Sequence, residues 1–171
     1  SDELLLVEIN RIWGDHKVSM IMIRDILMYM DRTYVTQFKK MSVYDLGLSI
    51  FLNIIIHHSD IKDRLIRIML DNISCERGGE LIDRSLMKNI CSMLIELGMK
   101  SNTVYVNEFE LPFLQRTSDY YRVNSQTAID DNSCPSYMKK AEKHLNNEML
   151  RVSNYLDEST GPKLKELCEK E

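Results

Sequence analysis

The chain is 171 residues long, 44% hydrophobic and 28% charged, enough apolar material for one globular domain or two small ones that fold without staples. Its formal charge of −4, with both signs interspersed, offers no basic footprint for nucleic acid or an anionic membrane, and no apolar run reaches the roughly 18 residues of a membrane span. Only 6 Gly and 3 Pro interrupt it, and Leu, Ile and Met lead the apolar set, which argues against disorder and for an all-α fold.

From about Glu3 to Thr36 a helical period runs through Leu6, Ile9, Trp13, Met20, Ile23, Leu27 and Met30, predicting one long helix or two nearly collinear ones. Its second half carries two apolar faces. At about 100° per residue, Ser19, Ile23, Ile26, Leu27, Met30 and Tyr34 share one side, which is predicted to be core. Ile21, Asp25, Met28, Tyr29 and Arg32 share the other, a mix of aliphatic bulk, tyrosine and arginine typical of protein–protein hot spots. The alternative is a helix buried on all sides within a bundle. Ser42 is a candidate N-cap for a second helix, through Tyr44, Leu48, Phe51, Leu52, Ile55 and Ile56. A third restarts at Ser59-Asp60, uses Ile61, Leu65, Ile68, Met69 and Ile73, and stops at Gly78-Gly79. Asp83 caps a fourth, with Leu86, Met87, Ile90, Met93, Leu94 and Leu97 inward and Gly98 expected as its left-handed terminator. A fifth is predicted from about Asn107 to Asp131, tolerating Pro112 near its first turn and ended by Asp130 to Ser133. A sixth starts at Pro135, with Met138, Ala141, Leu145, Met149, Val152 and Leu156 as its apolar stripe, and a seventh begins near Pro162.

Motifs for chemistry are lacking. His16, His57, His58 and His144 form no ligand spacing, so no metal or other cofactor is expected, and Gly78-Gly79 lacks the residues of a phosphate loop. Asp15, Asp25, Asp31, Glu108 and Glu110 read as solvated carboxylates, and His57-His58 as a cap on the free carbonyls of a helix end. No enzyme activity is predicted. Most methionines fall at core-periodic positions, Met28 alone being assigned to the second face. Cys75, Cys91, Cys134 and Cys168 are far apart and read as reduced thiols of a cytosolic or nuclear protein. Ser1 opens the chain without a start signal, which reads as a fragment of something longer.

Trp13 to His16, Met22 to Val35, Val43 to Leu48, Gly79 to Arg84, Val104-Tyr105 with Phe109 to Leu114, Tyr137 to Glu142 and Tyr155 to Asp157 form a set of stretches that resembles the N-terminal domain of the cullin family, its cullin-3 branch most of all. The resemblance implies a cullin-repeat helical array, a stalk of five-helix repeats. Residues 1–40 would close a first repeat, 41–158 form a second, and 159–171 open a third. It also implies a non-enzymatic scaffold of the ubiquitin-ligase system that binds BTB-domain substrate adaptors in cytoplasm and nucleus. Tyr29 and Arg32 would stand at adaptor-contacting positions, with Ile21, Asp25 and Met28 on their face. The stretches 49–59 and 124–133 depart from the cullin-3 pattern. That raises an alternative: a cullin-domain-only regulator without a ligase half, which binds a cell-cycle cyclin-dependent kinase or competes with cullin-3.

Overall fold

The computed structural model describes residues 2–129 and 134–170, and every regular element among them is a helix. Helix α1 (Asp2–Ile26) places Leu6, Ile9 and Trp13 inward at spacings of three and four, so its first half joins the core. The rod continues through a break at Leu27 (φ −94°, ψ 14°) into the single turn α2 (Met28–Met30) and a π-helical turn, Asp31–Val35. Left-handed Lys39 (φ 49°) and a bond from the Lys40 N–H to the Val35 carbonyl (3.0 Å) reverse the chain. Ser42 then caps α3 (Val43–Phe51) by accepting from the Asp45 N–H at 3.0 Å, as its hydroxyl and spacing foretell.

The helix α3 passes through a second π-turn, Leu52–Ile56, before α4 (Ser59–Arg77). Asp83 caps α5 (Arg84–Leu97) through the Leu86 N–H (2.9 Å), and α5 is the central helix, burying Met87, Ile90, Cys91, Met93, Leu94 and Leu97 against α1, α6 and α8. Gly98 is not left-handed as expected; its φ is −70° and Met99 (φ 59°) takes that conformation. A side chain at 98 is forbidden for another reason: a Cβ there would lie 1.9 Å from the Ser101 carbonyl oxygen.

The fifth predicted helix starts earlier than Asn107. A turn α6 (Thr103–Tyr105), a π-turn Val106–Glu110 and α7 (Leu111–Ile129) form one run. Proline inside an α-helix clashes with the carbonyl four residues back, here that of Glu108. The widened turn, in which the Leu111 N–H reaches back to Val106, accommodates Pro112 within the run. The predicted stop at Asp130 to Ser133 lies outside the described residues. Helix α8 (Cys134–Tyr155) and α9 (Thr160–Lys170) complete the array.

Two predicted faces are corrected. Ser19, Ile23, Ile26, Leu27, Met30 and Tyr34 are exposed, Ile26 by 80%, because α3, α4 and α5 pack on the side of α1 that carries Leu6, Ile9, Trp13 and Met20, and no described residue buries this one. Periodicity identifies an apolar face, not what lies against it. On α8 the buried line is Glu148, Arg151, Val152 and Tyr155, whereas Ala141 and Met149 are exposed and Leu145 half-buried.

Candidate docking surface on the projecting helix

The rod is held at its base by close packing. Trp13 meets Phe51 edge-on (5.0 Å between centroids), His16 lies 4.8 Å from the same ring, and the His16 Nε2 is 3.1 Å from the Gly47 carbonyl oxygen. Gly47 is a notch for Met20: a Cβ there would lie 2.3 Å from the Met20 methyl. On one flank Lys17 pairs with Glu96 (3.3 Å), which also accepts from the Tyr44 hydroxyl (2.8 Å). Burial first, and then the Glu96 bond, push the Tyr44 phenol up to about 12. Farther out, the Asp31 carboxylate accepts from the Val43 N–H at 3.1 Å, fastening the rod to the first turn of α3.

Ile21, Asp25, Met28, Tyr29 and Arg32 all lie at the surface, Tyr29 79% exposed. Within the described residues neither the Tyr29 hydroxyl nor the Arg32 guanidinium has a hydrogen-bond or ion-pair partner. Asp25 is engaged, accepting from Arg24 at 2.8 and 3.0 Å. Arg32 falls inside the π-turn, where the backbone is underwound, so its bearing relative to Tyr29 departs from that of a regular helix. Val18 and Met22 are also exposed, four and seven residues apart from Met22 and Tyr29 along the same line, so Met28 is not the only methionine on this face.

Exposure does not single this face out, since the opposite flank is bare too. Ile12 and Ile23 on α1, Met30 on α2, Leu46 and Ile50 on α3 and Ile54 in the π-turn after it are all exposed.

The reading of the carboxylates as solvated fails for two of them. Glu110 is fully buried, accepting from Thr160 (2.8 Å) and Lys163 (2.6 Å), and so ties the third π-turn to the start of α9. Glu108 pairs with Lys62 (2.5 Å) and His57 (3.5 Å), so the His57 ring turns to a carboxylate rather than to the helix-end carbonyls, and His58 makes no side-chain cap. Asp31 is half-buried as a fastener, while Asp15 pairs at the surface with Arg11. Cys75, Cys91 and Cys168 are not in disulfides, and burial pushes the Cys91 thiol well up. No group of three or more His, Cys, Asp or Glu side chains converges among the described residues.

Sequence reasoning missed a charged cluster inside the bundle. Glu148 accepts from Arg77 through both oxygens (2.9 and 3.1 Å), from Tyr121 (2.7 Å) and from Arg151 (2.8 Å). Arg77 also donates to Thr117, and Arg151 reaches Glu76 (3.0 Å), which accepts further from Tyr155 and Arg84, both at 2.7 Å. Burial works to raise the Glu76 carboxyl, but the bonds from Tyr155, Arg84 and Arg151 hold it below its ordinary range. Burial first, and then the adjoining carboxylates, push the Tyr121 and Tyr155 phenols far up.

The family model of the cullin alpha solenoid domain matches residues 1–171. Cullin-3 of Dictyostelium discoideum is 55% identical over 170 residues, which is 99% of this chain and 22% of that protein. Cullin-3A of Arabidopsis thaliana is 43% identical over 166 residues (97% and 22%), and Cullin-4A of Mus musculus 40% over 169 (98% and 22%). The chain thus spans about a fifth of the length of these curated relatives.

Proposed function

Since this chain belongs to the cullin family, with cullin-3 proteins among its relatives, we propose that it is a non-enzymatic piece of a cullin-3-type ubiquitin-ligase scaffold whose rod docks BTB-domain substrate adaptors. The observation that carries the reading is the unpartnered Tyr29–Arg32 pair on a helix that stands clear of the core. An aromatic with little conformational entropy to lose beside a guanidinium free to meet a carboxylate is the composition of an interface anchor. Met28 and Ile21 supply the apolar surround that excludes water from such an anchor.

In this reading residues 1–40 close one repeat, 41–158 make the next, and 159–171 open another. The exposed apolar side chains of α1, α2 and α3 are then the seat of the other helices of the first repeat, which cover Ile23, Ile26 and Met30 in the whole protein. Titrating the purified chain, and a form extended by the preceding repeat, with a BTB adaptor in a calorimeter tests the assignment. Tyr29→Ala should weaken binding by about 30-fold, the equivalent of about 2 kcal/mol, with the melting temperature unchanged. Binding that ignores this substitution overturns the site. A cyclin-dependent kinase complex in a parallel titration tests the competing reading, and retention of the kinase in place of the adaptor would favour the cullin-domain regulator.

A further inference from the structure

We infer that the buried ion network joining α4, α5, α7 and α8 is a geometric lock, which fixes the rotation and height of α8 against α4 while contributing little to net stability. The side chains of Arg77, Glu148, Arg151 and Glu76 are each no more than 10% exposed, so four charges have been withdrawn from water. Withdrawing charges costs about as much as their mutual attraction returns, and apolar side chains of the same volume generally hold a core as well or better. A structure that needed only cohesion at this place would use apolar side chains, as α5 does with Met87, Ile90, Met93 and Leu94.

What the charges add is direction. An aliphatic side chain packs acceptably in several rotations, but a guanidinium fork meets a carboxylate in one plane and at one height. Here the fork of Arg77, at the end of α4, clasps Glu148 in the middle of α8. One turn further on, Arg151 bridges Glu148 to Glu76, while Thr117 and Tyr121 fix the same groups from α7. The Arg77 guanidinium is also confined by the Tyr120 ring, 4.9 Å from its centroid. No buried side-chain nitrogen or oxygen among the described residues lacks a hydrogen-bond partner. Slipping α8 by one turn or rotating it by one residue would break the fork, the bridge and the tyrosine bond together. The lock concerns the direction in which successive helices of the array are laid down and is independent of what docks on α1.

The test replaces the lock with grease. Arg77→Met, Tyr121→Phe, Glu148→Leu and Arg151→Met are combined in the full 171-residue chain. Glu76 keeps Arg84 and Tyr155, and Thr117 keeps its bond to the Phe113 carbonyl. The expected variant melts cooperatively within about 5 °C of the parent. The methyl NMR signals of Val152, buried on α8 itself, should be split or broadened where the parent's are sharp. Amide exchange in α8 should quicken at least tenfold. A variant with sharp methyl signals and parental exchange overturns the inference, and so does one that no longer folds, since the network would then be needed for stability itself. Tyr121→Phe alone, which removes one neutral donor, should fold and speed α8 exchange several-fold; unchanged exchange in it overturns the inference as well.

Discussion

Gly47→Ala probes how the rod is seated. The added Cβ would lie 2.3 Å from the Met20 Cε, 2.6 Å from its Sδ and 2.8 Å from its Cγ, against the 3.5–4.0 Å of an ordinary contact. Moving the terminal methyl alone does not relieve the clash, because Cγ is also too close; the whole thioether must leave the notch or α1 must lift from α3. Forcing a methyl into a filled site costs about 1–3 kcal/mol, while Ala in place of Gly in a helix interior returns up to about 1 kcal/mol. The net expectation is a loss of about 1 kcal/mol, or about 2–4 °C in melting temperature for a chain of this size. Urea titration should show a lower midpoint with an unchanged slope. With Met20→Ala as background the obstacle is gone, so the same substitution should become neutral or stabilising, giving a coupling of at least about 1 kcal/mol between the two positions. A coupling below about 0.5 kcal/mol would refute the notch.

Exposure, not hydrophobicity, should set the cost of truncating aliphatics. Ile26→Ala, at a side chain 80% exposed, should shift this chain's stability by no more than about 0.5 kcal/mol, whereas Ile90→Ala in α5 should cost about 2–5 kcal/mol by chemical denaturation. Glu76 is held below its ordinary carboxyl value of 4.5, so its contribution is present above that value and lost as pH falls through the lowered one. The difference in melting temperature between the parent and Glu76→Gln should therefore shrink steadily on acidification below about pH 4.5. Tyr44 is raised from 10.0 to about 12, so its bond to Glu96 stabilises fully below the lower value and fades as pH climbs to the upper. Alkaline melting curves should fall less steeply over that interval in Tyr44→Phe.

The helices were legible where local chemistry decides them. Ser42 and Asp83 cap because a short side-chain oxygen three residues before an N–H can do little else at a helix start, and the α5 stripe is unbroken because all its inward positions are apolar. The π-turns were not legible. Nothing in the composition of Asp31–Val35 or Leu52–Ile56 marks a widened turn, and at Val106–Glu110 the only hint is Pro112, which the sequence reading places within a first turn. Glu148 and Arg151 were passed over because charged residues on an amphipathic helix ordinarily face water, and only neighbours distant in sequence, Glu76 and Arg77, make their burial affordable. Of the rod, sequence gave the two faces and their residues. That neither is covered by the described residues depends on which helices reach it, and a periodic pattern carries no such information.

Because Asp31 clasps the first turn of α3 while Met20 sits in the Gly47 notch, the outer part of the rod is gripped at two points flanking Tyr29. Tyr29 stands nine residues beyond the notch, about 13 Å along the axis. A load applied there bends a short beam supported at both ends instead of swinging a free arm. Tension from a docked protein is therefore shared between the fulcrum at Met20 and the clasp at Asp31, and enters α3 at its first turn and its middle at once.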